Sequence, residues 1–220
     1  MAGIPNETYM EEYIVKYLTS HPILDANGNV TADMEYRELP ASEYNKPENK
    51  EHCIIASELV AFLKDTQPKQ YEKLVLAKNG DEEAAKRSIL DRLDSEMRTK
   101  LKKATAACVQ SSALIPQGTL SVLRSSEFDA GCGAKFTLLY NRPANNKTPE
   151  HDAWYRKNRL AIVRQLRYSK TNDNEIDLAI FVNGFPVVTI ELKNTLTGQT
   201  HHNAIKQYMT SRQVKGEKFL

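Results

Sequence analysis

Cysteine is scarce in this chain, and no cysteine or histidine cluster has the spacing of a zinc site. The 220 residues include 3 cysteines, Cys53, Cys108 and Cys132, which lie far apart and form no Cys-x-x-Cys pair. An odd, sparse set of cysteines is typical of proteins in a reducing compartment. The sequence therefore predicts a cytoplasmic protein that is stabilised neither by disulfides nor by structural zinc.

Long apolar runs and phosphate-binding loops are also missing. No window approaches the ~18 apolar residues of a membrane span, and the N-terminus lacks the apolar core of a signal peptide. No Gly-x-x-x-x-Gly-Lys-Ser/Thr loop occurs, which excludes an ordinary P-loop ATPase within this chain. The net charge of +2 neither requires nor excludes a nucleic-acid partner, so local clusters of charge matter more than the total.

Apolar residues make up 40% of the chain, and their spacing predicts mainly helices in its first half. The first helix is expected over residues 6–20, with Asn6 as its N-cap. Residues 25–50 are polar and carry turn signals, so we expect a surface excursion. Residues 51–109 carry helical stripes of apolar residues. The apolar stripe of the first helix would contain Tyr9, Tyr13, Ile14 and Tyr17 or Leu18.

From Gly118 onwards the pattern becomes strand-like, and a last helix is expected over residues 202–213. This order predicts an α/β fold, a mixed central sheet flanked by helices. Residues 1–117 would add an N-terminal helix and a mainly helical portion, and residues 118–220 would form the core. The strands are expected at Thr119–Leu123, Phe136–Tyr140, Leu160–Tyr168, Ile176–Val182 and Val187–Leu192.

Three charged residues interrupt the last two predicted strands. Asp177 lies in one apolar run, and Glu191 and Lys193 lie at the end of the next. Charged side chains are rarely buried unless they are paired or bind a metal. Glu191 and Lys193 project from the same face, because side chains alternate along a strand.

The register of the hairpin decides whether Asp177 joins that face. A plain two-residue Asn183-Gly184 turn would place Asp177 opposite Ile190, on the other face. A three-residue loop that pairs Phe181 with Phe185 would bring it to the face of Glu191. A β-bulge near Glu191 would have the same effect.

Such a cluster of charges suits metal-assisted hydrolysis. Mg²⁺ prefers oxygen ligands, and Asp177, Glu191 and a main-chain carbonyl such as that of Leu192 would leave positions open for a phosphate oxygen. Lys193 could orient or deprotonate the attacking water, or balance charge in the transition state. The alternative is a set of Asp–Lys and Glu–Lys ion pairs on an exposed sheet face.

A longer set of strings, most of them between Tyr155 and Arg212, resembles the nuclease core of type I restriction enzyme R subunits, in the PD-(D/E)xK superfamily. The strings are Asn158-Arg159-Leu160, Val163-Arg164-Gln165-Leu166, Glu175-Ile176-Asp177-Leu178, Phe181 to Pro186, Ile190 to Asn194, and Leu196 to Thr200. The same family is also resembled by three upstream segments, Phe62-Leu63-Lys64, Thr66-Gln67-Pro68 and Leu120–Arg124.

This resemblance implies a restriction-endonuclease-like fold and gives the charged residues roles. Asp177 and Glu191 would be ligands of Mg²⁺, for which Mn²⁺ can substitute, and Lys193 would be the catalytic lysine. Related nucleases often supply another acid from the first helix, and Glu11 is our choice, ahead of Glu7 and Glu12. A solvated helix face is the alternative for these glutamates.

Two further groups of residues follow from the same comparison. R subunits often carry a Gln-x-x-x-Tyr element after the lysine; Tyr208 fits it, but Ala204 occupies the glutamine position. Gln207 and Tyr208 are therefore expected to support the site or touch DNA. Four arginines could contact DNA phosphates, or could instead pair with acidic neighbours. They are Arg156, Arg159, Arg164 and Arg167.

The resemblance implies a type I site-specific deoxyribonuclease. The chain would be an N-terminal fragment, followed in the intact subunit by an ATP-driven DNA translocase. Its partners would be duplex DNA, that translocase, and the modification and specificity subunits, with no membrane contact. Two alternatives remain, a stand-alone nuclease of the same superfamily and a non-catalytic DNA-binding or docking module with this fold.

Overall fold

The computed structural model describes residues 7–21, 35–110, 118–144, 148–194 and 198–211, without the side chains of 101–110 and Ser211. The helices are α1 (Glu7–Ser20), α2 (Ala41–Tyr44), α3 (Pro47–His52), α4 (Ala56–Thr66), α5 (Pro68–Ala77), α6 (Glu82–Gln110), α7 (Gly118–Leu123), α8 (Pro149–Arg156) and α9 (His201–Lys206), which continues as a π-helical turn, Gln207–Ser211. The strands are β1 (Tyr36–Leu39), β2 (Phe128–Gly131), β3 (Ala134–Phe136), β4 (Leu160–Arg167), β5 (Glu175–Val182) and β6 (Phe185–Ile190).

A four-stranded mixed sheet in the order β1-β4-β5-β6 forms the centre of the fold. β1 runs parallel to β4, and the other neighbours are antiparallel. Val15 of α1 packs against Ile162 and Leu178 in one apolar cluster, and Tyr44 and Ile55 contribute to another. The predicted α/β fold, with helices flanking a mixed sheet, is confirmed.

The helical prediction for residues 51–109 is confirmed, but the surface excursion is wrong for residues 35–50. That stretch forms β1, α2 and α3, and Tyr44 is fully buried. A four-residue edge strand is too short to leave a period-2 pattern in a polar segment. Residues 25–34 lie outside the described residues. The division at residue 117 stays a prediction, and β1, which precedes it, pairs with β4, which follows it.

The three strongest strand predictions are confirmed with shifted ends, but the two weaker ones need correction. Thr119–Leu123 belongs to helix α7, whose Val122 and Leu123 are buried in the same apolar cluster as residues of α6. Tertiary packing has overridden the local β-propensity here. The strand expected at Phe136–Tyr140 overlaps β3 only at Phe136, and β2 was not predicted. The last helix begins at His201, and residues 212–213 lie outside the described part.

Helix α1 begins by Glu7, but its predicted apolar stripe is wrong in part. Tyr9 and Tyr13 are each 56% exposed, and Tyr17 is 48% exposed. Ile14 and Leu18 pack towards the sheet beside buried Val15, as an amphipathic helix requires. The helix therefore turns its tyrosines outwards, and the expected cap Asn6 lies outside the described residues.

No helix in the described part of the chain is long and apolar enough to cross a membrane.

Candidate active site

The Asn183-Gly184 turn that joins β5 to β6 is a two-residue turn. Both residues have positive φ, 50° and 83°, as a type I′ turn requires. Val182 therefore pairs with Phe185, which excludes the three-residue loop, one of the two arrangements that would bring Asp177 to the face of Glu191. Gly184 also lies against the start of α4, where an added Cβ would come within 2.5 Å of the main-chain oxygen of Ile55.

A β-bulge corrects the register beyond this turn. Phe181 pairs with Pro186, but Ile180 pairs with Val188, so one extra residue lies in β6. Proline has no N–H to give to a ladder and is tolerated on edge strands and at bulges, and β6 is an edge strand of its sheet. The predicted bulge is thus present, although it lies beside Pro186 rather than near Glu191.

The corrected register places Asp177 opposite Glu191, one step beyond the pair formed by Leu178 and Ile190. The Leu192 N–H donates a hydrogen bond to Asp177 Oδ2 at 2.6 Å. Lys193 Nζ donates to Glu191 Oε1 at 3.0 Å, and these side chains are only 13% and 5% exposed. The two acids and the lysine singled out in the sequence are therefore brought together.

Glu11 of α1 reaches the same region from outside the sheet and is 3% exposed. Gln165 Nε2 donates a hydrogen bond to Glu11 Oε1, and the Arg164 guanidinium lies 3.5 Å from Glu11 Oε2. The solvated-face alternative does not describe Glu11. It does describe Glu12, which is exposed, whereas Glu7 Oε1 accepts a hydrogen bond from the Asn194 N–H at 3.1 Å.

Gln165 is a site residue to which the sequence assigned no role. It lies opposite Asp177 in the β4–β5 register and has a φ of +48°, which is uncommon for a residue in a strand. Val163 and Leu166 consequently pack in one cluster, although strict alternation would separate them. An amide inside the apolar run of β4 is the signal that could have identified it.

Burial raises the pKa of Asp177 from 3.8 to about 6. The Leu192 N–H opposes this increase, because it stabilises the charged carboxylate, and so does Lys193. Glu191 and Glu11 add to it by charge repulsion. The site therefore concentrates negative charge that water solvates poorly.

The donor atoms fit a hard divalent cation. Asp177 and Glu191 offer carboxylate oxygens in a partly dehydrated setting, where a cation would relieve their repulsion. In the described part of the chain, no three His, Cys, Asp or Glu side chains are arranged to hold a metal ion. Because Glu11 is engaged by Gln165 and Arg164, the arrangement corresponds to two carboxylates that need water or main-chain oxygens as further ligands.

Tyr208 lies beside β6, where its hydroxyl donates to Thr189 Oγ1 at 3.1 Å, and Gln207 begins the π-helical turn. The four arginines that were candidate DNA contacts each have an acidic neighbour, so their charges are compensated within the protein. The nitrogen–oxygen distances are 2.7 Å for Arg156 and Asp152, 2.9 Å for Arg159 and Glu58, 3.5 Å for Arg164 and Glu11, and 2.6 Å for Arg167 and Glu175.

Comparison with known proteins gives one family. A family model described as the N terminus of the type I restriction enzyme R protein matches residues 35–218. No curated protein and no solved structure matches the chain. The family points to a restriction endonuclease domain, a nuclease of a multi-subunit restriction system that acts on DNA. Since the match covers most of the 220 residues, the chain belongs to the family of type I restriction enzyme R protein N-terminal regions.

Proposed function

We propose that this chain is a Mg²⁺-dependent endonuclease domain of a type I restriction enzyme, and that it hydrolyses DNA phosphodiester bonds at the Asp177–Glu191–Lys193 site. The observation that carries the proposal is the bulged register. It sets Asp177 opposite Glu191 and leaves Lys193 Nζ 3.0 Å from Glu191. A sheet stabilised only by packing would gain nothing from two part-buried acids in adjacent positions.

Asp177 and Glu191 would hold the metal. A bound divalent ion supplies a Lewis acid that polarises the phosphate and lowers the pKa of a bound water. The Leu192 N–H fixes the orientation of the Asp177 carboxylate through its 2.6 Å hydrogen bond. Lys193 places a cation beside the same carboxylates, where it can orient the attacking water or balance the charge that develops on phosphate oxygens.

Glu11, Gln165 and Arg164 form a supporting layer. Glu11 is fixed by Gln165 and Arg164 on β4, so it holds α1 against the strand that pairs with β5. We assign positioning roles to Gln165 and Arg164. Glu11 either positions α1 or adds an oxygen ligand when a metal is bound. Tyr208 supports β6 through Thr189.

The wider setting belongs to the same proposal. The substrate would be duplex DNA, with the target sequence chosen by a specificity subunit beside a modification subunit. ATP would serve a translocase elsewhere in the full-length subunit, and the enzyme would work in the cytoplasm. Phosphate contacts by Arg156, Arg159, Arg164 and Arg167 would require these arginines to exchange an acidic partner for DNA.

Calorimetric titration with Mg²⁺ and Mn²⁺ tests the metal site. Asp177→Asn removes the charge but keeps an oxygen that can accept from Leu192. Asp173→Asn, at a side chain that is 95% exposed just before β5, is the matched control. Binding should disappear in Asp177→Asn and persist in Asp173→Asn. Equal binding by both variants, or no binding by folded wild type at millimolar metal, would refute the metal site and favour a docking module.

Nicking of supercoiled plasmid DNA tests the chemistry. Lys193→Ala leaves both carboxylates in place, so it should retain metal binding and lose cleavage by ~100-fold or more. The assay compares this chain alone with the assembled restriction enzyme. Cleavage of plain DNA by the chain alone would favour a stand-alone nuclease, whereas unaltered cleavage by Lys193→Ala would refute the assigned role.

A further inference from the structure

A second cleft, remote from the acidic site, combines aromatic rings with positive charge. It has a volume of about 620 Å³ and is lined by residues that include Arg124, Tyr140, Arg142, His151 and Trp154. This volume is within the ~300–1,000 Å³ typical of small-ligand sites. Its other lining residues include serine, threonine and asparagine, and the described lining contains no aspartate or glutamate.

Two rings in the lining of this cleft are stacked on each other. The indole of Trp154 lies on the ring of Tyr140, with centroids 5.2 Å apart and an interplanar angle of 24°. Trp154 is nevertheless 42% exposed, so much of its surface is left uncovered. The exposed part of the indole offers an aromatic surface on which a planar ligand can stack. Core packing, the ordinary explanation for a tryptophan, does not describe this one.

Tyr140, on which Trp154 stacks, is held in place by hydrogen bonds and by ring packing. The Tyr140 N–H donates to Asn158 Oδ1 at 3.2 Å, and Asn158 Nδ2 donates to the Tyr140 carbonyl at 2.7 Å. Phe62 meets the Tyr140 ring edge-on, at a centroid distance of 5.8 Å. Asn158 itself is only 6% exposed. A ligand that stacks on Trp154 would therefore lose little free energy in ordering the surface it meets.

The charge of this cleft distinguishes it from the other large cavity of about 640 Å³. That cavity is lined by Arg37, Arg156, Lys157 and Arg159, but also by Glu35, Asp65 and Asp152, so its charges are nearly balanced. In the Trp154 cleft, Arg124 supplies positive charge, and the described lining contains no carboxylate. An anion is favoured there, and an aromatic face lies beside it.

We propose that this cleft binds an unpaired nucleotide, with the base stacked on Trp154 and the adjacent phosphate held by Arg124. Stacking on an exposed aromatic side chain with arginine contacts to the backbone is the general way in which proteins hold single-stranded nucleic acid. Bases inside a duplex already cover one another, so the ring of Trp154 selects an unpaired base. The nucleotide belongs to a single-stranded segment of DNA or is a free nucleotide.

The cleft is separate from the proposed catalytic site. Asn158, which anchors Tyr140, accepts a hydrogen bond from Asn183 in the turn that follows Val182. Asp177 lies five residues before Val182 on β5, which corresponds to roughly 16 Å along a strand. The cleft therefore contacts nucleic acid beyond the scissile phosphate, and its binding does not depend on metal.

Trp154 is the single tryptophan of the chain, so its fluorescence reports on this cleft alone. Short oligothymidylate, a blunt-ended duplex of the same length and thymidine monophosphate are titrated in the presence of a chelator, which prevents cleavage. Single strands should quench the fluorescence at concentrations well below those needed with the duplex. Quenching by the monophosphate at the same concentration would identify a free nucleotide as the ligand. Equal affinity for the duplex and the single strand would overturn the proposal. So would the absence of quenching by both the oligothymidylate and the monophosphate.

Variants are compared by the anisotropy of a labelled oligothymidylate, which does not need the tryptophan. Trp154→Ala should weaken binding about 5- to 150-fold, since stacking on one aromatic ring is worth ~1–3 kcal/mol. Trp154→Phe keeps a ring and should lose much less. Arg124→Gln should weaken binding and make it less dependent on salt, whereas Arg87→Gln, an equal change of charge at an exposed residue outside the cleft, should not.

Unchanged affinity in Trp154→Ala, with Arg124→Gln and Arg87→Gln indistinguishable, would refute the site. Because all titrations omit metal, that outcome would leave the proposed nuclease site untouched. Conversely, loss of metal binding by Asp177→Asn with intact oligonucleotide binding would show that the two sites are independent.

Discussion

Removing the charge of Asp177 should stabilise the metal-free protein. Burial, with repulsion from Glu191 and Glu11, raises the pKa of Asp177 to about 6. The folded state thus binds this proton more tightly than the unfolded chain. The contribution of Asp177 to stability is greatest below about pH 4, falls as the pH rises to about 6, and stays low at higher pH. Asp177→Asn, which cannot ionise, avoids that loss.

The size of the effect follows from the shift. A change from 3.8 to about 6 corresponds to ~3 kcal/mol if it is counted in full. Asp177 is only partly buried, and water screens its neighbours, so about half is a better expectation, ~1–2 kcal/mol. The Asn amide oxygen can still accept the hydrogen bond from Leu192, which isolates the loss of charge as the cause.

Urea unfolding between about pH 4 and about pH 8, with a chelator present, measures the difference. Asp177→Asn should be more stable than wild type by ~1–2 kcal/mol at about pH 8, and the gap should close towards pH 4. Asp173→Asn, at an exposed side chain, should show no such trend. A gap that is absent at pH 8, or constant with pH, would refute the reasoning. Mg²⁺ at a hundred times Kd should stabilise wild type by ~2.7 kcal/mol, because only wild type would bind it, and should therefore reverse the order by about 1 kcal/mol.

Three further predictions concern residues that support the sheet. Asn183→Ala should lower the free energy of unfolding by ~2–4 kcal/mol, because the fully buried Asn183 amide forms hydrogen bonds with main-chain groups and its φ is +50°. Asn183→Gly loses the same hydrogen bonds but tolerates this φ, so it should lose less stability in the same urea titration. The opposite order would contradict this. Gly184→Ala should lower the melting temperature, because its Cβ would meet a main-chain oxygen at 2.5 Å, and an unchanged melting curve would show that the turn is not so tight. Glu58→Gln should cost ~2–3 kcal/mol, because Arg37 and Arg159 share this carboxylate. Those two arginines hold the Glu58 pKa below its usual value against the effect of burial. The wild-type advantage should therefore be present at neutral pH and shrink as acid protonates Glu58, and a pH-independent difference would argue against the ion pair.

Much of the sheet could be predicted because its strands carry their own signals. β4 and β5 are eight-residue strands in which apolar residues predominate, and Asn183-Gly184 marks the turn between β5 and β6. β1 and α7 were not predicted correctly, because their structure depends on distant partners. β1 exists as a strand through its pairing with β4, which lies more than a hundred residues further along the chain. The tyrosines of α1 were wrongly placed in its buried stripe. Tyrosine has an apolar ring and a polar hydroxyl, so its helical spacing does not tell whether it faces the core or the solvent.

The acids and the lysine of the candidate site were predicted because charges stand out in apolar strands. Whether Asp177 faces Glu191 could not be decided from the sequence. A shift of the hairpin register by one residue moves every side chain of a strand to the other face of the sheet. Pro186, two residues after Asn183-Gly184 and one before Val187, was the available signal for the place of the bulge. Gln165 also stands out as an amide among the apolar residues of β4, but its φ of +48° and its bond to Glu11, which give it a role, are visible only in the folded chain.

The irregular backbone of β4 and the bulge of β6 act on the same residue, Asp177. On one side of Asp177 the bulge beside Pro186 brings Glu191 opposite it, and on the other side Gln165 adopts a positive φ while its amide engages Glu11. A regular register from the Asn183-Gly184 turn would have set Asp177 and Glu191 on different faces. A positive φ on one neighbouring strand and a bulge on the other, around a carboxylate whose pKa is raised, form the combination expected at a binding site. Gln165→Gly should therefore relax the backbone but release Glu11, so metal affinity should fall while the free energy of unfolding falls little or rises. A parallel loss of both quantities would mean that Gln165 only holds the fold together.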